Sequence, residues 1–137
     1  MLRQDDMVKS QLVLVSWRYG VSYGGHLASL MIMGCIANRV RAGWGQWLNV
    51  IEKIPNYSAL NETPNDNKFP EIWEPTFVRL LHEVDSVYDS SGVDYSKGAF
   101  YWCDLRTIER DWFREKILQQ PENHPRVADM NSLTLFK

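Results

Sequence analysis

An amide and a guanidinium, Asn38 and Arg39, close the run Ala28-Ser29-Leu30-Met31-Ile32-Met33-Gly34-Cys35-Ile36-Ala37, which is apolar on every side at helical spacing. Such a helix sits among other elements, and a buried polar group leaving it without a partner costs about 1–3 kcal/mol. The pair must therefore brace a neighbouring loop or line a cleft. Trp17, Tyr19, Tyr57, Trp73, Tyr101 and Trp102 add faces able to stack on a sugar or another flat ligand. Tryptophans inside helical stretches are expected in the core. Tyr57 is the exception, because it lies in a polar segment.

Other chemistries lack their residues. His26, His82 and His124 are far apart, so neither a metal site nor a metal cofactor is expected. There is no glycine-rich phosphate loop and no serine in a nucleophile elbow. Most of the 17 acidic residues, Glu83, Asp85, Glu109 and Glu115 among them, fall beside basic residues in helical stretches and read as solvated faces. No carboxylate identifies itself as catalytic by pattern.

The elements that must position these groups follow from composition and periodicity. With 137 residues and 45% hydrophobic content, the chain suits one domain spanning residues 1–137. A net charge of −2 with no basic stripe argues against nucleic acid as a partner. The apolar run is far shorter than the roughly 20 residues a bilayer requires, so it is a core helix and no membrane span is expected. Cys35 and Cys103 read as small buried hydrophobes. The charged start, Met1 to Asp6, lacks a signal-peptide pattern, which leads to the expectation of cytoplasmic synthesis.

A first helix is predicted from a cap at Asp5 or Asp6 to about Arg18, ended by Gly20, with Tyr19 at its edge. Gly24-Gly25 opens the central helix, and Gly43 with Gly45 ends it. A third helix runs from Gln46 to Ile54 and stops at Pro55, before a polar loop, Asn56 to Phe69, long enough to border a site. A fourth, after Pro70, places Ile72, Trp73, Phe77, Leu80, Leu81, Val84 and Val87 on one face, against the central helix. Gly98 to Cys103 reads as an aromatic strand pairing with Ser132 to Phe136, with a further helix from Ile108 to Leu118 between them. The expected class is α+β, mainly α, with a buried central helix and a small sheet.

The run from Trp17 to Val40, WRYGVSYGGHLASLMIMGCIANRV, resembles the opening of the cell-wall hydrolase family that includes spore-cortex lytic enzymes. In that family a helix ends in an Arg-Glu pair, a glycine-containing turn follows, and an apolar helix runs into Asn-Arg-Val. YSALNETP from Tyr57 to Pro64, GAFYW from Gly98 to Trp102, and His124-Pro125 before a final strand with Phe136 are similar to later landmarks of the family. The resemblance implies a lysozyme-like fold and glycosidase chemistry on the glycan strand of peptidoglycan, as a hydrolase or lytic transglycosylase. It further implies that Asn38 and Arg39 brace the cleft floor, that Tyr57 and Ser58 contact sugar, that Tyr101 forms the opposite wall, and that the site of action is the bacterial cell wall.

The family's general acid is a glutamate at the end of the first helix, where this chain carries Trp17-Arg18-Tyr19. Cleaving a glycosidic bond needs a carboxylic acid that is still protonated at working pH. A tyrosine, with a pKa near 10, is a poor proton donor in its place. The expectation is an inactive or impaired enzyme. A natural loss of catalysis, a deliberate substitution, and a displaced acid such as Glu52, Glu71 or Asp104 all fit the sequence. A non-catalytic phage or cell-envelope module of the same fold, and a small-molecule or protein-interaction domain unrelated to glycans, are the rival readings.

Overall fold

The computed structural model describes residues 3–62, 68–71 and 73–137. Its element order is α1 (Gln4–Gly24), α2 (His26–Arg41), α3 (Trp47–Glu52), a 3-10 turn (Ile54–Tyr57), α4 (Pro75–Tyr88), β1 (Tyr101–Asp104), α5 (Asp111–Phe113) running into a wide π turn (Arg114–Leu118), β2 (Arg126–Met130) and β3 (Leu133–Phe136). The arrangement is α+β and mainly helical, with one small antiparallel sheet.

Helix α2 is the axis of the fold. Every residue from Ala28 to Ala37 is buried, as an all-round apolar helix requires, and α1, α4 and the sheet cover it. Gly20 does not end α1. It lies inside the helix, and a Cβ there would stand 2.5 Å from the Ser29 Cα, so glycine is what lets α1 and α2 approach so closely. The break comes at Gly24 and Gly25, with φ of +154° and +72°, which only glycine adopts readily. Tyr19 thus sits within the helix, not at its edge. At the other end, Arg3 occupies the capping position, while Asp5 and Asp6 lie in the first turn, where the helix dipole favours them.

Helix α4 starts later than its apolar spacing suggests. Pro75 occupies its first turn, and the Glu74 carboxylate accepts hydrogen bonds from the backbone N–H groups of Thr76 at 3.1 Å and Phe77 at 2.7 Å. Trp17 Nε1 donates to the same carboxylate at 2.9 Å, fastening α1 to the cap. Trp73, expected on the apolar face, precedes this cap and is 81% exposed. Ile72 and the loop residues 63–67 lie outside the described residues.

The aromatic strand and the chain end do pair, with Tyr101 opposite Phe136 and Asp104 opposite Leu133. A third strand, β2, lies on the other side of β3, giving the order β1-β3-β2, with an irregularity between Arg126 and Ala128. The helix expected from Ile108 begins only at Asp111, and Phe113 and Ile117 pack with Ala59, Cys103 and Phe136 in a second small core. Among the described residues no helix is long and apolar enough to cross a membrane.

Candidate functional site

Arg39, in the last turn of α2, is only 1% exposed. Its Nε donates to the carbonyl of Phe100 at 2.8 Å, the loop-carbonyl partner that a guanidinium leaving a buried helix needs. Its Nη1 is buried and has no hydrogen-bond partner among the described residues. Four rings surround the guanidinium carbon: Trp102 at 4.8 Å, Trp44 at 5.0 Å, Tyr57 at 5.5 Å and Tyr101 at 5.7 Å from the ring centroids. Their electron-rich faces replace part of the lost hydration. No carboxylate among the described residues forms an ion pair with it. Burial lowers the Arg39 pKa to about 10, against a small opposing pull from Cys35 and the nearby tyrosines, so the group stays cationic at neutral pH.

Each ring arrives from a different element. The turn after α2, with Gly43 at φ +87°, folds Trp44 back so that its N–H bonds the Arg39 carbonyl at 3.0 Å. Pro55 starts the 3-10 turn that carries Tyr57. Tyr101 and Trp102 open β1. Outward from the cage the rings continue as a half-buried surface: Trp44 stacks on Phe100 at 5.7 Å, Tyr57 meets Trp112 edge-on at 6.4 Å, and Tyr101 meets His124 at 5.3 Å. A slot of about 10 Å³ runs in between Trp44, Tyr57, Val50 and Lys53 to Arg39.

A second crevice, of about 20 Å³, lies behind Trp102 and is lined by Tyr19, Tyr23, Ser58 and Asp104 among others. Asp104 is 7% exposed, yet it is well satisfied. Arg106 donates to both of its oxygens, from Nε at 3.1 Å and from Nη2 at 2.9 Å, and Tyr23 and Ser132 hydroxyls stand at 3.3 Å. The Arg106 contacts outweigh burial and hold the Asp104 carboxyl down at about 2. Tyr23, desolvated and facing that anion, is pushed up to about 12. Asp104 is a fixed negative charge, not a proton donor.

The structure therefore gathers Arg39, Tyr57 and Tyr101 at one place and sets Tyr19 with Ser58 in the adjoining crevice. Tyr19 is 3% exposed, its ring edge against Trp102. Ser58 Oγ accepts from the backbone N–H of Leu60 at 3.1 Å. Asn38 points elsewhere. Its Nδ2 donates to Ser96 Oγ and the Ala99 carbonyl, both at 2.9 Å, tying α2 to the loop before β1. Of the alternative acids, Glu52 is exposed on the rim of a hollow of about 170 Å³ that Tyr19 and Arg18 also line, and Glu71 is exposed. Periodicity and composition do not single out Trp44, Lys53, Phe100 or Trp112. Gly43-Trp44-Gly45 is the one signal that points there, since glycines on both sides free a tryptophan to fold back on the helix end.

Comparison of the chain with protein-family models, curated proteins and solved structures finds no match.

Proposed function

We propose that this domain binds the glycan strand of peptidoglycan across the aromatic surface around Arg39, and that it does so without effective cleavage. The observation that carries the reading is the half-buried aromatic surface that continues outward from the cage, where Trp44, Phe100, Tyr57, Trp112 and Tyr101 lie ring against ring and provide the apolar area a sugar ring packs on. The order of motifs from Trp17 to Phe136 supports a cell-wall hydrolase ancestry with a lysozyme-like fold. The loss of cleavage rests on position 19, where a sealed tyrosine takes the place of the expected acid, and on Asp104, which has no proton to give at neutral pH.

The test is a pull-down on purified peptidoglycan sacculi alongside a zymogram. The chain is expected to sediment with sacculi and to leave no cleared band. A protein that stays in the supernatant contradicts glycan binding. Clearing that Glu52→Gln abolishes would assign a displaced acid and contradict the non-catalytic reading.

A further inference from the structure

We infer that the free edge of β2 is a homodimer interface, on which a second copy of this chain adds its own β2 antiparallel about a twofold axis between Val127 and Ala128. The inference is independent of what the aromatic surface binds. In the sheet order β1-β3-β2, strand β2 pairs on one side only, and among the described residues no backbone hydrogen bond reaches it from the other. Such an edge templates a further strand unless its side chains forbid the pairing. Here they favour it, because the charges on β2 are complementary to those of a second β2.

The irregularity in β2 is what makes the charges match. In a regular strand, residues three apart face opposite sides of the sheet. The register shift sets Arg126 against Phe136 and Asp129 against Thr134, two partners on one face of β3, so both charges project from that face, exposed and 3.0 Å from each other. Val127, Ala128 and Met130 are half-buried and pack toward the α2 side. Cross-strand partners share a face, so the twofold sets Arg126 opposite Asp129 of the second copy twice over, with Val127 opposite Ala128 between the two pairs. The neighbouring registers that keep the faces matched set Arg126 against Arg126 or Asp129 against Asp129, and like charge disfavours both. On the α2 side a hollow of about 550 Å³ runs along β2 beside Leu27, Met31 and Tyr95, and Tyr95 is 45% exposed. A second copy would roof it and add apolar contact to the strand pairing. A short strand pair is small against the roughly 1,200 Å² of a stable interface, so the dimer is expected to be weak and concentration-dependent.

Sedimentation velocity of the full chain from about 5 to about 500 µM tests this. The parent is expected to pass from one chain per particle toward two, while Arg126→Asp and Asp129→Arg, each of which brings like charges together twice, stay monomeric. Both side chains are exposed, so each variant should melt within a few degrees of the parent. Mixing the two variants is the decisive arm. One then carries two acids and the other two bases on the same face, so an equimolar mixture should form a heterodimer within about tenfold of the parent's affinity. A role confined to one chain gives no such rescue. Amide exchange in β2 should slow over the same concentration range. A parent that stays monomeric throughout overturns the interface and leaves the edge to a strand of another protein. A dimer that both variants retain, or a mixture that stays monomeric, overturns the proposed pairing of Arg126 with Asp129.

Discussion

The ring of Tyr19 meets Trp102 edge-on, with centroids 5.2 Å apart and planes inclined by 75°. The contact turns position 19 toward the core, where Tyr19, Trp102 and Asp104 line one crevice, while the Arg39 guanidinium carbon lies 4.8 Å from the Trp102 ring centroid. A carboxylate put at position 19 would enter this packed setting. Tyr19→Glu is expected to lower stability by about 2–4 kcal/mol, through lost ring packing and burial of a charge near Asp104. A melting temperature unchanged from the parent would show that position 19 is open to solvent.

Arg39 separates binding from stability. Replacing a buried, unpaired cation with an apolar side chain of similar length removes its desolvation cost, so Arg39→Met is expected to melt at or above the parent's temperature. Arg39→Ala leaves a cavity among four rings and should cost about 2–4 kcal/mol. Destabilisation of equal size in both variants would mark Arg39 as a structural strut.

Asp104 sets the acid limit. Its folded pKa of about 2 lies below the ordinary carboxylate value, so its stabilising contribution is complete above about pH 4 and is lost as pH falls through 2. The difference amounts to up to about 2 kcal/mol. Urea midpoints at pH 7 and pH 2.5 should converge in Asp104→Asn more than in the parent. A parent and variant with parallel pH profiles would contradict the assignment.

The central helix carries the core. Ile32 and Ile36 are both fully buried, and Ile32→Ala or Ile36→Ala should cost about 2–5 kcal/mol in chemical denaturation. A cost below about 1 kcal/mol would mean that α2 is peripheral.

What is legible in the sequence is whatever one element decides by itself. The apolar circuit from Ala28 to Ala37 marks α2 as the buried axis, and the period-two alternation of Leu133 to Phe136 finds the partner of β1. Glycine misleads where its reason is packing: Gly20 reads as a stop, but it is there for Ser29. Trp73 keeps helical spacing with Phe77, yet Glu74 and Pro75 begin the helix beyond it. Strand β2 is hard to see because Arg126 to Met130 alternates weakly and its register is broken. Asn38 and Arg39 stand out as a pair by their exit from the apolar helix, but their separate destinations depend on Ser96, Trp44, Tyr57 and Trp102, which chain order does not bring together.

The central claim is that a glycan rests on the rings around Arg39, and Tyr57 is the ring that tests it most directly, being partly exposed and on the rim of the slot. Titration of Tyr57→Ala with a soluble peptidoglycan glycan fragment, followed by amide NMR shifts, is the measurement. The account predicts that the parent chain binds with shifts centred on Trp44, Tyr57 and Tyr101, and that Tyr57→Ala binds about tenfold more weakly while melting within a few degrees of the parent. Unchanged affinity in Tyr57→Ala, or parent shifts confined to another face, would contradict it.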